Sequence, residues 1–252
     1  MQTEAPVVLV TGAAQRIGAA IARKFHHNNY RVIVHYRNSE AAAQSLVSAC
    51  NTQRPNSAAC LQADFNHSDK VVELAANALQ LFGRIDVLIN NASSFYPTPI
   101  GSITQQSWDD LLDSNLRFAF FLSQALAGEL EQRRGAIVNL LDTHIDKPLL
   151  QHSVYSMAKA GMKAMTQSLA LELAPAVRVN AVAPGAILWP TALADDADAT
   201  VINQRDKILQ QIPLGHIGNP QQIADAVYFL AAEASYVTGS VLRVDGGRYL
   251  NL

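Results

Sequence analysis

An α/β chain built on one doubly wound, seven-stranded parallel sheet is the fold the sequence predicts. Three observations carry it. Seven short apolar runs recur along the chain, and segments of helical spacing separate them. The 252 residues suffice for one large buried core, with no linker or repeat to divide residues 1–252 into two domains. Short apolar strands alternating with amphipathic helices imply a parallel sheet covered on both faces.

The runs are VVLV (7–10), YRVIVHY (30–36), SAACLQA (57–63), IDVLIN (85–90), GAIVNLL (135–141), VRVNAVA (177–183) and SVLRVDG (240–246). Helical spacing is evident at 18–27, 68–82, 105–131 and 153–174. Asn219-Pro220-Gln221-Gln222 reads as a helix start: Asn219 caps, Pro220 takes the first helical position, and Gln222 closes a capping box. Arg133-Arg134 before Gly135 reads as a helix end, where cations suit the dipole.

Composition excludes several classes. Hydrophobic residues at 49% and charged residues at 16% mark a globular chain, not a disordered one. A net charge of −2 gives no general attraction to nucleic acid or an anionic membrane. The start, MQTEAPVVLVTG, is not expected to act as a secretory signal, and no apolar run approaches the ~20 residues that span a bilayer. Cys50 and Cys60 read as reduced, small apolar residues, which fits a cytoplasmic protein.

The first run leads into TGAAQRIG (11–18). Gly12 permits a sharp turn, Gly18 permits close packing of the next helix, and that helix's N-terminus offers N–H groups to a pyrophosphate. Arg16 stands where such turns often carry a second glycine, which puts a guanidinium over the phosphates and within reach of a substrate. After the second run, where a carboxylate usually holds a ribose 2′-hydroxyl, the chain reads HYRNSE (35–40). Arg37 suits a 2′-phosphate, with Ser39 adding a hydrogen bond. The expected cofactor is therefore NADP(H). His35 reads as a strand residue.

Tyr155 and Lys159 stand four apart and share a helix face. A phenol is a poor acid near neutrality, with a reference pKa of ~10, and a nearby ammonium favours its ionised form. The pair is expected to supply a proton during hydride transfer.

TGAAQRIG, the NNAS run (90–93), Asn115, Tyr155/Lys159, VNAVAPG (179–185) and VDGG (244–247) resemble the short-chain dehydrogenase/reductase family, in family order along the chain. The resemblance implies a Rossmann-like, NAD(P)-dependent oxidoreductase, usually a tetramer, with an Asn-Ser-Tyr-Lys catalytic set. The chain departs at the serine: Asp142 stands there, thirteen residues before Tyr155. A carboxylate would repel a developing alkoxide but suits a substrate protonated at nitrogen or carrying N–H donors. Neighbouring Thr143 offers an alternative hydroxyl.

NNASSFYPTPIG (90–101), the arginine in TGAAQRIG, HYRNS and Asp142 are similar to the pteridine reductase branch. That resemblance implies Asp142, Tyr155, Lys159 and Asn115 as the catalytic group, with Asn115 linked behind Lys159. It assigns the cofactor to Gly12, Arg16, Ile17, Gly18, Tyr36, Arg37, Asn38, Ser39, Asp64, Asn91, Ala92, Ser93, Tyr155, Lys159, Pro184 and Gly185. It assigns a pterin or folate substrate to Arg16, Ser93, Asp142 and Tyr155, with Phe95 as the ring that stacks on it. Leu188 and Trp189, in the loop after Pro184, are expected on the substrate side, with Trp189 either lining the site or packing the lid. Gln15 replaces a lysine frequent in that branch, and residues 186–202 of the substrate loop, about 186–212, depart from it. Helical surfaces at 104–131 and 153–174 are more apolar than one sheet requires, which agrees with a homotetramer.

No metal site is expected: His26, His27, His67, His144, His152 and His216 lack ligand spacing. Asp195, Asp196 and Asp198 lack the calcium-loop pattern. His144 and His152 read as exposed loop histidines.

Overall fold

The computed structural model describes residues 5–64, 69–189 and 199–251. His67 and the acidic residues Asp195, Asp196 and Asp198 lie outside them. All seven expected strands form: β1 (Val7–Val10), β2 (Arg31–Tyr36), β3 (Ala58–Gln62), β4 (Val87–Asn90), β5 (Ala136–Leu140), β6 (Arg178–Pro184) and β7 (Val241–Val244). They pair in parallel in the order β3-β2-β1-β4-β5-β6-β7. The central strands β1, β4 and β5 are buried throughout because helices cover both faces.

Those helices are α1 (Arg16–His27), α2 (Glu40–Gln53), α3 (Asp69–Phe82), α4 (Gln105–Leu112), α5 (Phe118–Arg133), α6 (Ser153–Glu172), α7 (Ala199–Gln210) and α8 (Pro220–Tyr228). Two cores result. One packs Leu9, Leu88 and Ile137 under Leu122, Leu126 and Met162 of α5 and α6. The other packs Val8, Val34 and Val138 under Ile21, Phe25 and Ile223 of α1 and α8. The Asn219 capping box forms as expected, with Gln222 N–H on Asn219 Oδ1 at 3.1 Å and Asn219 N–H on Gln222 Oε1 at 2.9 Å. α5 ends at Arg133, and Arg134 turns left-handed at φ +51° before Gly135.

One expectation changes. The helical pattern at 105–131 is broken by a π-turn, Asp113–Arg117, between α4 and α5. Side-chain periodicity hardly registers a one-residue insertion, so the sequence reads as one helix. Such turns are rare and occur often at functional sites; this one carries Asn115. Among the described residues, no helix is long and apolar enough to cross a membrane, and no cluster of His, Cys, Asp and Glu could hold a metal ion.

Strand order reverses between β1 and β4, so their connections leave in opposite directions and open a crevice at the carboxyl ends. The candidate site lies there.

Candidate active site

A cleft of about 680 Å³ runs from the β1–α1 turn to the loop after β6, within the ~300–1,000 Å³ usual for small-molecule sites. Gly12, Arg16, Ile17, Gly18, Tyr36, Arg37, Asn38, Ser39, Asn91, Ala92, Ser93, Phe95, Asp142, Tyr155, Lys159, Pro184, Gly185, Leu188 and Trp189 all line it. Of the expected site residues, only Asp64 and Asn115 stand outside the wall.

The turn requires its glycines. Gly12 sits at φ +61°, and a Cβ there would lie 2.9 Å from Ala92 Cα. A Cβ on Gly18 would lie 2.3 Å from Gly12 O. Arg16 adopts φ +52° at the place where a glycine is common; a left-handed non-glycine residue costs roughly 1–2 kcal/mol. Asn91 fastens the turn from β4: its amide donates to Thr11 O at 2.9 Å and Gly12 O at 3.1 Å. Its amide hydrogens are spent on shaping the cradle.

His35 does more than fill a strand. Gly12 N–H donates to His35 Nδ1 at 3.1 Å, and His35 Nε2 lies 3.2 Å from Ala63 O. Accepting at Nδ1 requires Nε2 to carry the hydrogen, so the ring is neutral and ties the turn to β2 and β3. Burial pushes its pKa down to about 4.

Arg37 stands between two carboxylates. Its Nε lies 2.9 Å from Asp64 Oδ1 and its Nη1 lies 3.5 Å from Asp110 Oδ1. Asp64 therefore contributes by orienting the guanidinium. Glu40, the nearest carboxylate in sequence, accepts from Gln44 at 3.0 Å and leaves Arg37 to these partners. Ser39 precedes α2 without a side-chain capping bond. A glycine cradle at a helix start, with a guanidinium and a hydroxyl at the end of β2, fits a dinucleotide carrying a 2′-phosphate.

At the other end stands Asp142, just past β5. Its two oxygens divide the work. Oδ1 accepts from His144 N–H and His144 Nδ1, each at 2.8 Å, and caps the single 3₁₀ turn Thr143–Ile145. Oδ2 accepts the Tyr155 hydroxyl at 2.9 Å. One carboxylate thus both caps this turn and meets the tyrosine. Burial alone would raise the Asp142 pKa, but the His144 bonds and the Tyr155 hydroxyl outweigh it and hold it below the ordinary carboxylate value.

The tyrosine differs from the sequence expectation. Burial and the adjacent carboxylate push the Tyr155 phenol well above its usual value. Lys159 Nζ donates to Leu140 O at 2.8 Å and sits 5.8 Å from the Tyr155 ring centroid, so Asp142 governs the hydroxyl more closely. Burial lowers Lys159 to about 8, against the pull of Asp142. Tyr155 is therefore held as a protonated acid.

Asn115 stands in the π-turn behind the cleft wall. It accepts from Ser93 Oγ at 2.7 Å and donates to Ser94 O at 2.8 Å and Leu111 O at 3.0 Å. These bonds steady the 90–93 run. Thr143 is buried and donates to Asp245 Oδ2 at 2.8 Å, so its hydroxyl does not replace the missing serine.

Phe95 is 54% exposed at the cleft edge. His152 stacks on it at 4.7 Å and 15°, and Tyr155 meets it edge-on at 4.8 Å. Trp189 lines the cleft while Arg205 of α7 lies 5.1 Å from its ring, so it both faces the site and meets α7. Sequence reasoning missed His35, His144 and His152. The spacing Asp-x-His was a usable signal, since a capping aspartate brings the second residue of its turn onto the carboxylate.

Comparisons agree with this architecture. A family model described as enoyl-(acyl carrier protein) reductase matches residues 12–248. Pteridine reductase 1 of Leishmania tarentolae is 37% identical, with 96% of each chain covered. The 3-oxoacyl-[acyl-carrier-protein] reductases FabG of Staphylococcus epidermidis and Staphylococcus aureus are each 36% identical over 96% of this chain, covering 98% and 97% of their own lengths. With these relatives matched from end to end and the cradle, tyrosine and lysine in one cleft, the chain belongs to the short-chain dehydrogenase/reductase family of oxidoreductases.

Proposed function

We propose that this protein reduces a 7,8-dihydropterin to the 5,6,7,8-tetrahydropterin with NADPH, and accepts dihydrofolate where the loop at about 186–212 admits its longer tail. The observation that carries the reading is Asp142 in hydrogen bond with Tyr155, 2.9 Å apart, beside the exposed Phe95 ring.

The cofactor, when bound, supplies hydride to the carbon of a ring C=N bond. The chain supplies the rest. Phe95 offers a flat face to a flat heterocycle. Asp142 offers an acceptor to ring N–H groups, which a serine-based carbonyl site does not need. Tyr155 holds the proton at its hydroxyl, and Asp142 keeps that proton in place until a more basic ring nitrogen takes it. Lys159, buried on the same helix face, offsets the charge left on the phenol oxygen. The 3-oxoacyl reductases are nearly as similar in sequence, but a carboxylate beside the hydroxyl opposes an alkoxide, and Thr143 is already committed to Asp245.

NADPH oxidation followed at 340 nm with dihydrobiopterin, dihydromonapterin, dihydrofolate and an acetoacetyl thioester tests the reading. Turnover of the dihydropterins is expected. Turnover of the thioester alone overturns it and makes the chain a carbonyl reductase.

A further inference from the structure

His144 is unaccounted for by the reaction just described. It does not line the cleft. Yet its imidazole is largely buried, 13% exposed, with Nδ1 aimed at the carboxylate that touches the acid. The 3₁₀ turn after Asp142 already places the His144 N–H on Oδ1, at 2.8 Å. The ring nitrogen then adds a second bond to the same oxygen, also at 2.8 Å. Two donors on Oδ1 fix the carboxyl plane. Only Oδ2 is left for the site, and it meets the Tyr155 hydroxyl.

From this geometry we propose that His144 is a positioning residue for proton donation: it pins and ionises Asp142, and so determines where the Tyr155 hydrogen points. The proposal rests on the assignment of Asp142 and Tyr155 to the reaction, and not on which substrate they serve. A backbone bond alone leaves a carboxylate free to rotate about its own χ2, a soft two-fold torsion. With the ring bond in place, rotation breaks a charge-assisted contact. Other charges bear on the same carboxylate only through space. Lys159 donates to Leu140 O, and Arg248 donates to Gln211 Oε1. Asp245 is occupied by Thr143, Gly247 N–H and Tyr249 N–H. His144 is thus the one side chain besides Tyr155 that holds Asp142 by a direct hydrogen bond among the described residues.

The test uses the full chain and the variants His144→Ala, His144→Asn, Asp142→Asn and the double variant His144→Ala/Asp142→Asn. Asparagine keeps an N–H donor near the place of Nδ1. In protein labelled with ¹³C at aspartate side chains, the Asp142 carboxyl is identified by its absence in Asp142→Asn. Its titration midpoint is expected to rise by about one pH unit in His144→Ala and to return most of the way in His144→Asn. In turnover, His144→Ala is expected to lower kcat roughly tenfold with the KM for NADPH unchanged, to be rescued by His144→Asn, and to add nothing once Asp142 is asparagine.

An unmoved carboxyl midpoint overturns the proposal. So does a His144→Ala loss of equal size in the Asp142→Asn background, which would mark a structural histidine. Wild-type turnover of the thioester and not of the pterins sinks the pterin reading alone. The kinetic cycle then runs on the thioester, and the carboxyl titration stands independently of both.

Discussion

The Tyr155 hydroxyl donates to Asp142 Oδ2 at 2.9 Å, which places a carboxylate where a carbonyl reductase of this family keeps a hydroxyl. The contact makes Tyr155 a reluctant acid, raised well above its ordinary value by burial and by Asp142. An acid so held gives up its proton only to a base that forms during the reaction. Asp142→Ser removes the acceptor and the charge together. Pterin turnover is expected to fall by roughly 10²–10⁴-fold, the usual worth of a positioned acid. NADPH affinity, measured by quenching of protein fluorescence, is expected to hold. Undiminished kcat in that variant would remove Asp142 from the mechanism.

Arg37 is proposed to carry the preference for NADPH. Two carboxylates, Asp64 and Asp110, already pair with it, so its guanidinium is held near the end of β2 before any ligand arrives. A planar guanidinium matches a phosphate with a forked pair of hydrogen bonds. Arg37→Asp is expected to invert the ratio of kcat/KM for NADPH over NADH. A variant that weakens both cofactors equally would show that Arg37 serves the loop and not the phosphate.

Phe95 and His152 stack at 4.7 Å, with His152 outside the cleft wall and Phe95 on it. The histidine backs the platform. Phe95→Leu is expected to raise the KM for a dihydropterin about tenfold, consistent with an aromatic pair worth roughly 0.5–1.5 kcal/mol beyond area burial. The KM for NADPH is expected to stay. Equal increases in both constants would assign Phe95 to holding the loop.

Strands and helix starts were legible because their signals are local. VVLV is buried at every position and coincides with β1, and the Asn219 box closes as its spacing implies. The cleft lining was legible because glycine turns and the Tyr155/Lys159 spacing dictate position. What escaped is non-local. Nothing in the order of residues says that His35 faces Gly12 across 23 positions, or that Thr143 spends its hydroxyl on Asp245, 102 positions away. The π-turn at Asn115 escaped for another reason: its insertion disturbs the helical period too little to see.

Association of copies is proposed from the outer face of α5. Phe120 and Phe121 stay 37% and 41% exposed there, edge-on to each other at 5.5 Å. Neither contributes to the core beneath, so the pair is suited to bury against the same helix of a second copy. Sedimentation velocity is expected to show a tetramer, and Phe121→Glu to shift it toward smaller species. A monomer at every concentration would dismiss this face as an interface.

His35 gives the fold a defined response to acid. Its folded pKa, lowered by burial to about 4, lies below the ordinary 6.5 of an exposed histidine. Between these values the unfolded chain binds a proton that the folded chain refuses. Stability from this group is therefore complete above pH 6.5 and is lost as pH falls toward 4. The whole loss amounts to about 3 kcal/mol, at 1.36 kcal/mol per pKa unit. Protonation would also set an Nδ1 hydrogen against the Gly12 N–H, so the phosphate turn should fail before the rest of the fold. NADPH affinity is expected to decline across that window earlier than the thermal midpoint does. In His35→Asn, whose amide oxygen can accept from Gly12 and does not titrate, both declines should flatten. A variant with the same acid slope as the wild type would place the titrating group elsewhere.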